Sequence, residues 1–349
     1  MGGYGLYCHS IANALIRGGH DITILTSMHR SNRETAAKEL NIHRELWFDP
    51  SSESPLLLQR NEGIVKRIID STNPDCILIW NTFGLGHAGI FSAVESKPTA
   101  VYLMLYDLAH FGPHLTGGIV LLAASQTIRF HFLAKGFRSD RIRLLTPGLN
   151  IPDSREHQES STGIPLLFSG RIVMYKGLHT ILEAMAGLPE EYTLRICGTA
   201  DADSVSYERE CRQWVRDQEL ESRVQFSGWI PSAAMPEIYN RHAVLVFPSI
   251  WEEPFGLSIL EAMSYGTPVV ASRLGGPAEI ISDRRTGLLF EPGDVRDLMD
   301  KLQSLQDPVF RTVLGEAARS DFTKRFALSR FIHELETELS ALVESSKAE

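Results

Sequence analysis

Cysteine is scarce in this 349-residue chain. There are four, Cys8, Cys76, Cys197 and Cys211, and no two form a C-x-x-C pair. That excludes a disulfide-stapled scaffold and a C-x-x-C metal or redox site, and points to free thiols in a reducing compartment. Long apolar runs are also missing. The longest, Gly117 to Ala124, has eight residues, two of them glycine, whereas a membrane-spanning helix needs about 20. No basic segment followed by an apolar stretch opens the sequence, so no signal peptide is legible and a cytoplasmic protein is expected. Positive charge is in deficit: 34 Lys and Arg stand against 43 Asp and Glu, a net −9. A chain built to coat nucleic acid is thereby excluded. There is no Walker lysine and no strict G-x-G-x-x-G, which removes the P-loop reading.

What is present is ordinary globular composition, 43% hydrophobic and 22% charged, at a length that implies about two domains. Short β-branched runs alternate with helical periods. DITILT (21–26), DCILIW (75–80), AVYLML (100–105), IVLLAA (119–124) and a short run at 141–145 read as strands. Tyr7, Ile11, Ala14 and Leu15 share one face of a first helix that Gly18-Gly19 stops. Ser125 is placed to cap a helix that runs to Lys135. A polar, turn-rich stretch near 146–164 is the linker candidate. The rhythm then restarts, with strands expected at 166–169, 192–197, 224–227, 243–247, 267–271 and 288–290. Helices are expected near 203–218, 234–241, 256–265 and 276–282, and the chain is helical after Pro292. Leu328, Phe331, Ile332, Leu335, Leu339 and Leu342 form the apolar stripe of the last helix. Near-continuous apolar strands between helices predict α/β architecture with parallel sheets covered on both faces. The expected division is 1–150, 151–325 and a terminal helix, 326–349.

Ligands of doubly wound sheets bind beyond the carboxyl ends of the strands, so the loops that follow strands are where chemistry is expected. Ser169-Gly170-Arg171 through Lys176-Gly177 sets two cations beside glycines at a helix start, the electrostatics of a diphosphate site. On this segment alone, a turn with two solvated cations remains an alternative. The loop Pro248 to Gly256 runs into another helix, with Glu253 before it and Glu261 just over a turn inside it. Carboxylates there suit sugar hydroxyls, which they accept in pairs; two surface glutamates are the other reading. Gly275-Gly276 allows close backbone approach at a third helix start, and Gly2-Gly3-Tyr4-Gly5 precedes the first helix. Tyr106, Asp107 and His110 end a strand of the first half.

Charge is uneven. Residues 1–150 carry 14 Lys/Arg and 12 Asp/Glu, and residues 151–349 carry 20 and 31. Arg129, Lys135, Arg138, Arg141 and Arg143 interleave with Phe130, Phe132 and Phe137. Residues 129–143 are therefore expected either to touch an anionic membrane peripherally, at the inner face, or to form an amphipathic helix with solvated charges.

The segments SGRIVMYKGLHTILEA, VQFSGWI, FPSIWEEPFGLSILEAMSYGTPVVAS, GGPAEII and TGLLFEPGD occur in that order across 166–294. Together they resemble glycosyltransferase family 4 (glycosyl transferases group 1). RGGHDITILT and the stretch 125–148 carry the likeness into the first half. The resemblance implies the GT-B fold, two Rossmann-like doubly wound domains facing a cleft, with the last helix returning to the N-terminal domain. It implies a retaining hexosyltransferase that moves a hexose from a nucleotide-diphosphate sugar to a hydroxyl acceptor in polysaccharide, lipid-linked or small-molecule glycan synthesis. A non-catalytic or inactive nucleotide-sugar binder and a nucleotide-sugar epimerase of GT-B fold are the alternatives, the second opposed by the E-x7-E and R-x4-K spacings.

Residue by residue, the resemblance assigns Arg171 and Lys176 to the donor diphosphate, Glu253 to the donor sugar and Glu261 to the ribose. Phe255, Gly256 and Leu257 match amides that meet sugar hydroxyls and phosphate. Gly170 belongs to the loop that carries the cation pair, and Ile230 matches a base-contacting position. Gly2 and Gly3 match a glycine loop that approaches the phosphate. No metal and no cofactor are expected, because the Arg/Lys pair does a divalent cation's work. Two departures stand out. Tyr106-Asp107 replaces a His-Asp pair, which shifts a histidine role toward His110 on the acceptor side. Position 1 also falls where a first strand is expected to have just ended, so a chain shortened by one strand is expected.

Overall fold

The computed structural model describes residues 3–27, 41–48, 54–80, 87–106, 118–152 and 163–348. Gly2, Asp107 and His110, named above, lie outside the described residues. The chain divides into two compact units: 1–147 with 328–349, and 148–327.

The first unit opens with α1 (Gly3–Arg17), which buries Tyr7, Ile11, Ala12 and Leu15. Ala14 is only half-buried. Then come β1 (Thr23–Ser27), β2 (Asn41–Leu46), α2 (Pro55–Thr72), β3 (Ile77–Ile79), α3 (His87–Val94), β4 (Thr99–Leu103), β5 (Val120–Ala123), α4 (Gln126–Ala134) and β6 (Ile142–Leu144). All pairings are parallel, but they fall into two groups, β1-β2 and β3-β4-β5-β6. The central β4 and β5 are buried throughout, whereas Ile24, Leu25, Ile77 and Leu78 of β1 and β3 are half-buried. The terminal helix α12 (Leu328–Ala348) packs here: Phe331 meets Tyr7 and Tyr102 at ring-centroid distances of 5.9 and 5.5 Å. Arg330 ties its start to the carbonyls of Thr146 and Pro147.

Local chemistry explains the helix ends. Ser54 accepts from the Leu57 amide, Pro55 opens α2, and Asn73 closes it at φ 43. Ser125 accepts from the Ile128 amide at 3.1 Å, as the cap expected for α4. The aromatics and cations of the 129–143 stretch divide between interior and surface. Phe132 lies one turn after Ile128, on the face that α4 turns inward, and both are fully buried. Phe137 packs edge-on against Phe132 at 5.2 Å. Arg138 pairs with Asp140, and Arg143 pairs with Glu338 of α12. Phe130, 60% exposed, remains on the surface with Arg129, Lys135 and Arg141.

The second unit holds one sheet of six parallel strands in the order β12-β11-β10-β7-β8-β9. These are β7 (Ile164–Ser169), β8 (Tyr192–Cys197), β9 (Val224–Gly228), β10 (Val244–Phe247), β11 (Val269–Ser272) and β12 (Leu288–Phe290). Helices α5 (Leu178–Gly187), α6 (Val205–Asp217), α7 (Met235–Arg241), α8 (Leu257–Tyr265), α9 (Gly276–Ile280), α10 (Val295–Ser304) and α11 (Pro308–Arg325) fill the crossovers and the end of the unit. Both faces are covered. Leu166, Ile196 and Val244 enter one core, while Leu167, Leu245 and Val269 enter the other, each at 0–1% exposure. Burying such a side chain contributes about 1.5–3 kcal/mol, which is why these strands read as unbroken apolar runs. No described helix is long and apolar enough to cross a membrane.

Candidate active site

Chain order and sheet order locate the site. From β7 the sheet grows one way through β8 and β9, then jumps back to β10 and grows the other way. The reversal falls between β7 and β10, the switch point where open α/β sheets bind ligands. The loops leaving these two strands carry the candidate cations and carboxylate: Arg171 and Lys176 after β7, Glu253 after β10.

The two loops are tied together. Tyr175 O accepts from the Ile250 amide at 3.0 Å. Gly177 sits at φ +68, and a Cβ there would lie 1.9 Å from Pro248 O, so only glycine permits this approach. A third loop joins them: Glu253 O accepts from the Gly276 amide at 2.8 Å. Gly275, at φ +65, leaves no room for a Cβ against the Glu253 backbone.

Glu253 is 4% exposed. Its Oε1 receives three donors: Lys176 Nζ at 2.7 Å, Ser249 Oγ at 2.8 Å and Trp251 Nε1 at 2.8 Å. Three donors on one oxygen satisfy the charge that burial would otherwise penalise. Arg171, largely exposed, lies at the loop's rim, where it meets Asp201 at 3.1 Å and donates to the Tyr175 hydroxyl. Tyr175 also packs on Trp251 at 5.0 Å. An incoming anion therefore competes with Asp201 for Arg171 and with Glu253 for Lys176.

The helix start falls one residue later than the 256 expected from the sequence. α8 begins at Leu257, with Gly256 at φ 125 as a cap that has no side-chain acceptor. Among the described residues no oxygen takes the amides of Gly256 and Leu257, which stand at the positive end of the helix dipole. The Phe255 ring is 4% exposed and packs on Phe326, so only its backbone is left for a ligand. Glu261, half-buried on α8, accepts from the Tyr239 hydroxyl at 2.6 Å. Burial pushes the Glu261 carboxyl up from its ordinary value, against the opposing pull of that hydrogen bond. Gly170 follows β7 and its amide donates to Cys197 O at 3.0 Å. Ile230 is half-buried against the Tyr239 cluster, and its neighbour Trp229 is 62% exposed. In the first unit, Gly3 is the first residue of α1, and Tyr106 packs its ring on His131 at 4.8 Å.

The structure thus brings Lys176 and Glu253 together, with Arg171 on the same loop and Glu261 beyond the free amides. Ser249 and Trp251 lie inside a segment singled out by sequence, but their convergence on Glu253 has no spacing signal. Tyr239 has none either, because it comes from a different helix.

The family described as Glycosyl transferases group 1 matches residues 151–321. An uncharacterised glycosyltransferase of Methanocaldococcus jannaschii is 30% identical over 367 residues, covering 94% of this chain and 91% of that protein. A D-inositol 3-phosphate glycosyltransferase of Corynebacterium kroppenstedtii is 29% identical over 223 residues, covering 59% of this chain and 48% of that protein. The match spans about half the length of this and the other first curated relatives. Among solved structures, HepE of Anabaena in complex with UDP and glucose superposes with TM-score 0.78 at 21% identity, covering 97% of this chain and 96% of that one. The fold is GT-B, with two Rossmann-like units. The chain belongs to the glycosyl transferases group 1 family.

Proposed function

We propose that this protein is a retaining, family 4 hexosyltransferase that moves a hexosyl unit from a nucleoside-diphosphate sugar to a hydroxyl acceptor in the cytoplasm, in the synthesis of a polysaccharide, lipid-linked or small-molecule glycan. One observation carries the reading. Two cations, a buried carboxylate and free helix amides converge on the two loops that flank the β7/β10 switch point. Breaking the sugar–phosphate bond builds negative charge on the leaving diphosphate. Arg171, Lys176 and the α8 amides stabilise that charge where it develops, which is where electrostatic catalysis gains most. The same groups replace a divalent cation, so turnover proceeds in chelator without added metal. Glu253 orients the donor sugar and Glu261 holds the ribose. Ile230 lies at the base, and the acceptor enters beside Tyr106, Asp107 and His110. Gly2 and Gly3 approach the phosphate, and the surface at Arg129, Phe130, Lys135 and Arg141 touches anionic membrane peripherally.

The test is release of labelled nucleotide and sugar from UDP- and GDP-hexoses, by wild type and by Glu253→Ala. Faster turnover by wild type supports the enzyme reading. Equal, slow release by both overturns it.

A further inference from the structure

Tyr239 stands outside every motif of the sequence, yet among the described residues its hydroxyl is the one group hydrogen-bonded to the Glu261 carboxylate. It is 1% exposed and held from three directions. Its ring stacks on Tyr265 at 5.7 Å with the planes 8° apart. Its carbonyl accepts from Thr267 Oγ1 at 2.8 Å. Its phenol donates to Oε2 of Glu261 at 2.6 Å, a bond that ties α7 to α8.

Burying a tyrosine hydroxyl beside a carboxylate has a cost. Burial, and next the Glu261 charge, push the Tyr239 hydroxyl well above its ordinary value. A phenylalanine would fill the same space without a polar group to satisfy. What the hydroxyl adds is direction. A carboxylate on a helix turns about its terminal torsions, which are broad and shallow, and a fixed donor on one oxygen selects one orientation.

We infer that Tyr239 is a positioning residue for the nucleotide: its phenol holds Oε2 of Glu261 so that Oε1 is presented to a ribose hydroxyl. This rests on the reading of Glu261 as the ribose carboxylate.

The experiment is calorimetric titration of UDP, 2′-deoxy-UDP and 3′-deoxy-UDP, with the matching GDP set, into wild type, Glu261→Gln and Tyr239→Phe. Wild type is expected to favour a ribonucleotide over one of its deoxy forms by about tenfold, the size of one hydrogen bond to a charged group. Glu261→Gln removes most of that preference. Tyr239→Phe reduces it to about two- or threefold, with deoxynucleotide affinity nearly unchanged. A merely structural tyrosine would lower ribo- and deoxynucleotide affinity by the same factor and leave the preference intact, and that result overturns the proposal. Should Tyr239→Phe fold poorly, the unfolded fraction lowers the titration stoichiometry and cancels in the ratio of affinities, so an unchanged preference still counts against the inference and a diminished one supports it. Failure of Glu261→Gln to reduce the preference overturns the ribose reading together with this inference. A collapsed preference in Glu261→Gln with an intact one in Tyr239→Phe overturns the inference alone.

Discussion

The Lys176–Glu253 pair makes the sharpest demand on the site. Replacing Lys176 with Met keeps the length of the side chain and removes its charge. Glu253 then remains buried with two neutral donors, Ser249 and Trp251, on Oε1. Removing one partner of a buried ion pair costs about 3–5 kcal/mol. Lys176 is 20% exposed and its partner 5%, and the two remaining donors each contribute about 1 kcal/mol. The expected loss is therefore at the lower end, about 2–3 kcal/mol. In a unit of this size one kcal/mol moves Tm by about 2–4 °C, so differential scanning calorimetry should show a fall of about 5–10 °C. Adding Glu253→Gln to Lys176→Met removes the stranded charge. The double variant should recover about half of that fall, a coupling of at least 1 kcal/mol. A Lys176→Met variant within 0.5 kcal/mol of wild type (about the scatter of surface substitutions), or strictly additive effects, would refute the buried-pair argument.

Three further outcomes follow from neighbouring features. Gly177→Ala should separate the two loops, because its Cβ would lie 1.9 Å from Pro248 O; more than about 3 kcal/mol of stability is expected to go, read by urea unfolding. Asp283 is pushed up by burial, but the Leu289 amide at 2.9 Å and the Arg273 guanidinium at 2.7 Å outweigh this and leave it below its ordinary value. With the folded value depressed, its contribution is present above the ordinary carboxylate range and is lost as pH falls through the folded value. Asp283→Asn should thus cost about 1–2 kcal/mol at pH 7 and progressively less toward pH 3, followed by thermal melts across pH. In the first unit, hydrogen exchange should release the amides of β1 and β3 before those of β4 and β5.

The second unit was largely legible because its strands are buried on both faces. Tyr192–Cys197 and Leu288–Phe290 lie where their apolar runs stand in the sequence. In the first unit, β2 (NIHREL) escaped, since His43, Arg44 and Glu45 leave no apolar run and the strand is only half-buried. α2 carried its signals openly, a serine cap, an N1 proline and an apolar stripe through Leu57, Val65 and Ile68. Phe130, Phe132 and Phe137 stand alike among cations in the sequence, and only packing shows which aromatic turns inward. At the site, residue types and their loops were readable. The contacts were not, because Lys176 reaches Glu253, and Tyr239 reaches Glu261, through loop closure and helix packing rather than through any period in the chain.

The central claim is that the loops at the β7/β10 switch point receive a nucleoside diphosphate. Titration calorimetry of UDP and GDP into wild type and Arg171→Ala tests it directly. Arg171 is exposed and its ion pair is a surface one, so its removal should barely change Tm. The account predicts saturable binding of one of the two nucleotides by wild type, weakened about 10- to 100-fold in Arg171→Ala at an unchanged Tm. Equal affinity in the two proteins, or no binding of either nucleotide, would contradict it.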